Sequence, residues 1–288
     1  MSATMQQAPT DRRAPSGIGP RVSAALADGL LVARRNLVTL TRVPTVFIFE
    51  LVQPIMFVLL FRFIYENQFA LLPPGLDYVQ FLMPGIFVQN AIFGATTTAV
   101  GFAEDLKGGI IDRFRSLPMA RSAVLIGRTT SDLLKNLILV LLVIVIGYLV
   151  GFRFENGIAP AIGLVVLVLA VGFAWSWIFA CLGISLKKVE AVQAASFTLI
   201  FPVVFVSSAF APVDGMVSWL QPIARANPVS IWCNFARYLS SGELGITDPI
   251  TGQPVDSFEN LLFKSVLWIV ILLAIGVPLA VRLYRKLD

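Results

Sequence analysis

Between residues 44 and 281 the chain alternates long apolar stretches with short charged or proline-broken ones. That alternation restricts its possible folds more than any other feature. About 20 apolar residues are what a helix needs to cross a bilayer. In lipid, only helices and closed barrels satisfy every backbone group internally. The stretches lie at about 44–65, 77–103, 131–151, 159–184, 192–211 and 260–281. They predict an all-α polytopic membrane protein with six transmembrane helices. Composition agrees: 14% of the 288 residues are charged, 57% are hydrophobic and the mean hydropathy is +0.82. An ordinary soluble domain carries about 25% charged residues.

The chain has no histidine, so the commonest metal ligand and general base are both missing. Its two cysteines, Cys181 and Cys233, are far apart in apolar surroundings. They make neither a metal spacing nor a disulfide framework. The pI near 9.5 is read as topology rather than nucleic-acid binding, because the basic residues sit in loops beside spans. With both ends on one side, that side holds 17 of the 22 basic residues and the other holds 5. The positive-inside rule therefore predicts cytoplasmic N and C termini.

Residues 1–20 are polar, with Pro9, Pro15 and Pro20, and predict a disordered cytoplasmic tail. No apolar core of signal-peptide type precedes a cleavage site there. From Arg21 to Arg42, Arg21, Asp28, Arg35 and Arg42 recur every seven residues, with Arg34 beside them. Val22, Leu26, Leu30, Ala33, Leu37 and Leu40 take the opposite side. This pattern predicts an amphipathic helix lying in the interface, with Arg34, Arg35 and Arg42 towards anionic headgroups. The competing reading is a polar-flanked extension of the first span.

The segment 104–121, E-D-L-K-G-G-I-I-D-R-F-R-S-L-P-M-A-R, is a charged island between two spans. Ile110, Ile111, Phe114 and Leu117 fall on one helical face, and Asp112, Arg113, Arg115 and Ser116 on the other. Gly108 and Gly109 free the backbone before this short helix, and Pro118 stops or turns it. Such a helix suits docking into a groove on another protein. It equally suits resting on lipid headgroups.

Inside the first span, Glu50 is a functional candidate by default, since an intramembrane acid is costly. It lies only about two turns in, near enough to the edge to reach water, or to pair with Arg42 or a neighbouring helix. Trp175 and Trp177, well inside the fourth span, line a substrate path or simply pack. Residues 212–242 are too polar and proline-broken for a span. They predict short re-entrant helices capping the outer end, tolerated only where buried in protein or lining a wet cavity.

No G-x-x-x-x-G-K-[ST] occurs, so the chain has no phosphate-cradling loop of its own. No nucleophile–base arrangement stands out, and an enzyme is not expected. Energy for transport would come from a gradient or from a separate protein. A gradient-driven secondary transporter usually needs intramembrane ionisable groups, and Glu50 alone qualifies. A membrane scaffold is a further, weaker reading.

Two regions resemble the permease subunit of ABC-2 type transporters, the bacterial daunorubicin/doxorubicin-exporter permease type in particular. One comprises Glu104, Gly108 or Gly109, Ile111, Arg113, Arg115, Leu117, Pro118, Gly127-Arg128 and Asp132. The other comprises Phe201-Pro202, Ser207 to Pro212, Trp219-Leu220, Asn227-Pro228 and Ala236-Arg237. The family usually has Met-Pro before Trp-Leu and often Ser-Gly, where this chain has Met216-Val217 and Ser207-Ser208. The resemblance implies a transmembrane domain over 21–288 in the plasma membrane. It implies a second permease protomer, identical or related, and two copies of an ATP-binding cassette subunit. Glu104, Gly108, Gly109, Arg113, Arg115 and Pro118 become the element coupling to that subunit. No cofactor is expected in this chain; ATP and Mg2+ belong to the partner. The implied function is export of a hydrophobic or amphipathic cargo (drug, lipid or glycolipid).

Overall fold

A computed structural model describes residues 44–65, 72, 76–108, 121–246 and 256–286. Secondary structure among them is helical throughout: α1 (Pro44–Tyr65), α2 (Tyr78–Gly94), α3 (Thr96–Lys107), α4 (Arg121–Val150) and α5 (Ile158–Leu186). Then follow α6 (Val189–Phe205), α7 (Gln221–Ala226), α8 (Pro228–Ser241) and α9 (Phe258–Arg285). Two 3-10 turns, Val213–Gly215 and Gly242–Ile246, flank α7 and α8. By length and composition, four helices among the described residues can cross a membrane: Tyr78–Lys107 (α2 and α3 together), Asp132–Val150 within α4, α5 and α9. The 22 residues of α1 and the 17 of α6 are also apolar. The chain is a polytopic membrane protein.

The second apolar stretch carries a single-residue turn at Ala95, between α2 and α3, where the backbone stays in the helical region (φ −66°, ψ −18°). The hydroxyls of Thr96 and Thr97 donate to the carbonyls of Phe93 (2.7 Å) and Gly94 (2.8 Å). Hydroxyls that bond back to the preceding turn bend a helix. α4 starts at Arg121, well before the expected position 131. The fifth stretch stops at Phe205 rather than running to 211. Pro202 sits in its last turn, and the backbone beyond is drawn into other contacts described below.

α2 is the axis of the bundle: all its residues except Asn90 and Gly94 are buried. It packs against α8, α5, α1 and α4, and α5 in turn holds α9 and α3. Two glycines set how closely elements approach. A Cβ at Gly183 of α5 would lie 2.3 Å from the Ala99 carbonyl oxygen of α3, and one at Gly85 of α2 would lie 2.0 Å from that of Ala209. Small residues allow such backbone contact in membranes, where lipid tails offer helices no hydrophobic drive to associate. At the other extreme α9 buries only Leu261, Ser265, Gly276, Ala280 and Tyr284.

Candidate functional site

A polar seam runs between α1, α2–α3 and α4, inside apolar stretches. Lys135 Nζ of α4 lies 2.5 Å from Glu50 Oε1 of α1, with the two side chains 6% and 21% exposed. Moving either charge out of water costs several kcal/mol, so each persists by virtue of the other. Glu50 Oε2 is buried and finds no hydrogen-bond partner among the described residues. One turn before Lys135, Asp132 Oδ2 accepts a hydrogen bond from Thr98 Oγ1 of α3 (2.5 Å). These two contacts tie α4 both to α1 and to α3.

Beside the pair, Gln53, Pro54, Ile86, Gln89 and Asn90 line a small recess between α1 and α2. Pro54 has no N–H to offer the carbonyl of Glu50 one turn earlier. The carboxamides of Gln53, Gln89 and Asn90 make no hydrogen bonds among the described residues.

An aromatic wall adjoins the seam. Phe197, Phe201 and Phe205 recur every four residues on α6 and are about half exposed (44%, 45% and 44%). Phe93 of α2 meets Phe197 and Phe201, with ring centroids 6.3 and 5.9 Å apart. Phe61 of α1 stacks on Phe210 at 4.7 Å, and Phe57 on Phe210 at 5.3 Å. Phe210 also meets Phe205 at 5.2 Å. Carboxamides next to open phenylalanine faces can take a molecule that is apolar on one side and hydrogen-bonding on the other.

The opposite end of α2 is closed by a second polar knot. Arg237 of α8 is 1% exposed. Its guanidinium donates to the Phe81 carbonyl (2.9 Å), Asn234 Oδ1 (2.9 Å), Ser208 Oγ (3.1 Å), the Ala209 carbonyl (3.3 Å) and the Ser208 carbonyl. It also lies over the Phe81 ring, 3.6 Å from the centroid. None of these acceptors is a carboxylate. The stretch after α6 is thereby fixed against α2, and Tyr78 Oη adds a bond to the Phe210 carbonyl (3.2 Å). Asn227 caps α8, accepting from the Val229 N–H (2.9 Å) and donating to the carbonyls of Val203 (2.7 Å) and Val206 (2.5 Å). Pro228 at the first helical position is preset for the helix.

Of the residues singled out from sequence, Glu50 lies in the seam, paired with a neighbouring helix. Trp175 and Trp177 are both 5% exposed. Their ring contacts are with Phe179 and Phe173 of their own helix rather than with the aromatic wall. Glu104 is exposed in the last turn of α3, where its carbonyl accepts from the Gly108 N–H (2.8 Å), and Gly108 is the exposed cap of that helix. Gly109, Arg113, Arg115 and Pro118 lie outside the described residues, as do Arg34, Arg35 and Arg42 of the expected interfacial helix. Lys135, Asp132, the three carboxamides and the role of Arg237 were not anticipated. One signal was available: Lys135, near the edge of a span, offers the positive charge that Glu50 lacks.

Comparison with known proteins places this arrangement. The model of the ABC-2 type transporter family matches residues 29–239. The chain is 30% identical over 271 residues to the daunorubicin resistance ABC transporter permease protein DrrB1 of Streptomyces coeruleorubidus, covering 94% of this chain and 90% of that one. It is 26% identical over 211 residues to the probable doxorubicin resistance ABC transporter permease protein DrrC of Mycobacterium tuberculosis, covering 71% and 74%. To the putative transport permease ycf38 of Cyanophora paradoxa it is 27% identical over 216 residues, covering 73% of each.

Proposed function

The chain belongs to the ABC-2 type transporter family, and from that membership we propose that it is the membrane subunit of an exporter powered by a separate ATP-binding chain. Two permease protomers, identical or related, pair, and two ATP-binding subunits dock below them. ATP and Mg2+ bind on those subunits. The chain crosses the plasma membrane six times, through α1, α2–α3, α4, α5, α6 and α9, with both termini in the cytoplasm. Residues 212–242, including α7 and α8, form the outer re-entrant cap. The segment 104–121 couples to the ATP-binding subunit through Glu104, Gly108, Gly109, Arg113, Arg115 and Pro118.

The observation that carries the cargo reading is the juxtaposition of the carboxamides of Gln53, Gln89 and Asn90 and the open faces of Phe197, Phe201 and Phe205. An amphipathic molecule satisfies both surfaces at once. Relatives named for daunorubicin and doxorubicin resistance fit that chemistry. Glu50 is compensated by Lys135, which favours an ATP-driven cycle over one in which Glu50 carries a coupling ion.

The test is reconstitution with the ATP-binding subunit. Arg113→Glu with Arg115→Glu is expected to leave membrane insertion and ATP binding intact while export is no longer driven by hydrolysis. Normal export by a normally expressed double variant would refute the coupling role.

A further inference from the structure

A second surface lies where α5 and α9 end together. Trp177 and Cys181 of α5 both meet Gly276 of α9, and Ile184 shares an apolar cluster with Ala280 and Tyr284. The contacts progress in the same direction along both helices, so the helices run parallel and finish at the same membrane face. Cys181 Sγ lies 3.5 Å from the Gly276 carbonyl oxygen. Lys187 is as far beyond Cys181 as Arg282 is beyond Gly276, so these two cations are level. Lys188, Arg285 and Lys286 join them.

All five are exposed, and none takes part in an ion pair among the described residues. The acids on neighbouring helix ends, Glu104, Asp105 and Glu190, are fewer. Below the cations the surface is apolar. Ile275 and Leu279 are 56% and 44% exposed, and together with Arg282 and Lys286 they lie along one face of α9. An uncovered aliphatic track thus leads directly into a basic rim.

Lys187 adds an independent sign. It closes α5 at φ 58°, ψ −14°, and it is the single non-glycine residue with positive φ among the described ones. Glycine is the usual occupant of this cap position. A lysine there bears backbone strain that glycine would not, so its side chain is the feature retained.

We propose that this rim binds the phosphate headgroup of an anionic phospholipid, with an acyl chain lying along the exposed face of α9. The proposal rests on the chain's being a membrane protein and is independent of cargo or of the ATP-binding partner. Charge complementarity and continuity with the lipid-facing track favour a phospholipid over an acidic protein surface, which needs no aliphatic track.

The full chain is reconstituted in phosphatidylcholine vesicles carrying trace spin-labelled phosphatidylglycerol or phosphatidylcholine, and the motionally restricted fraction of each label is compared. The wild type is expected to prefer phosphatidylglycerol. Lys187→Gly is expected to weaken that preference about fivefold, the effect of one basic residue near a charged bilayer surface. Adding Arg282→Gln is expected to bring it close to parity. Because Lys187→Gly relaxes the cap, its thermal midpoint in phosphatidylcholine should equal or exceed that of the wild type. An unchanged lipid preference in both variants overturns the proposal, as does a lowered midpoint for Lys187→Gly. Unchanged lipid preference with weakened capture of the ATP-binding subunit also overturns it and assigns the rim to protein docking.

Discussion

Lys135 and Arg237 are both buried cations, and the bundle holds them in different ways. Lys135 faces one carboxylate, Glu50 on another helix, through a flexible stem. Arg237 is spread over three backbone carbonyls, a hydroxyl and a carboxamide, with an aromatic ring against its plane. A cation caged by backbone oxygens is freed only by pulling the backbone apart. An ammonium paired with one side chain is freed by a change of rotamer. The end of α2 near Arg237 is therefore built as a fixture, and the seam near Lys135 as a contact that can exchange partners.

The sharpest way to break this contrast is at Arg237. Arg237→Met leaves several buried acceptors unpaired and is expected to cost at least about 3 kcal/mol of stability, since hydrogen bonds to charged groups are worth about 1.5–3 kcal/mol each. Arg237→Lys is expected to recover less than half of that, because a point charge cannot match the guanidinium fork. Thermal unfolding of the full chain in detergent checks both. Full rescue by lysine would show that charge alone, and not the cage, holds the knot.

The seam should behave otherwise. Lys135→Met and Glu50→Gln are each expected to lose about 2–3 kcal/mol, with neutralisation of the orphaned partner limiting the damage. The double variant should return to within about 1 kcal/mol of the wild type, because two uncharged groups leave nothing unpaired. A double-mutant cycle on the unfolding midpoints reads this directly. Additive losses would mean that the pair does not act as a unit.

The smallest effect belongs to Asp256, just ahead of the last span. Burial opposes the charge of Asp256, but bonds from Lys264 (2.7 Å), Asn260 (2.6 Å) and the Ser257 N–H (2.9 Å) outweigh it and hold the carboxyl below its ordinary range. A depressed carboxylate stabilises the fold above the ordinary aspartate pKa, about 3.9. That contribution is lost as the pH falls through this value and then through the lower folded one. Asp256→Asn should remove this share of the acid dependence, under about 1 kcal/mol for so accessible a pair. Identical acid-unfolding curves for variant and wild type would dismiss it.

The apolar stretches were legible because length and hydrophobicity are local properties of sequence, and each of them contains a helix. Their breaks were not legible. The turn at Ala95 depends on hydroxyls bonding backwards, and the early end of α6 depends on Arg237 claiming the carbonyls beyond it. Glu50 was visible as an acid in lipid, but its partner lies 85 positions away, and only the packing of α1 against α4 brings the two together. Arg237 entered the charge count as an outer basic residue. Nothing local to it announces a carbonyl cage assembled from α2 and the chain after α6.

The single turn residue Ala95 separates two parts of one 30-residue apolar helix, Tyr78–Lys107. The first part, α2, is held at its far end by the Arg237 cage, while the second, α3, leads directly into Gly108. Because Thr98 of α3 is bonded to Asp132 of α4, any displacement of the tip of α3 must carry α4 with it or break that bond.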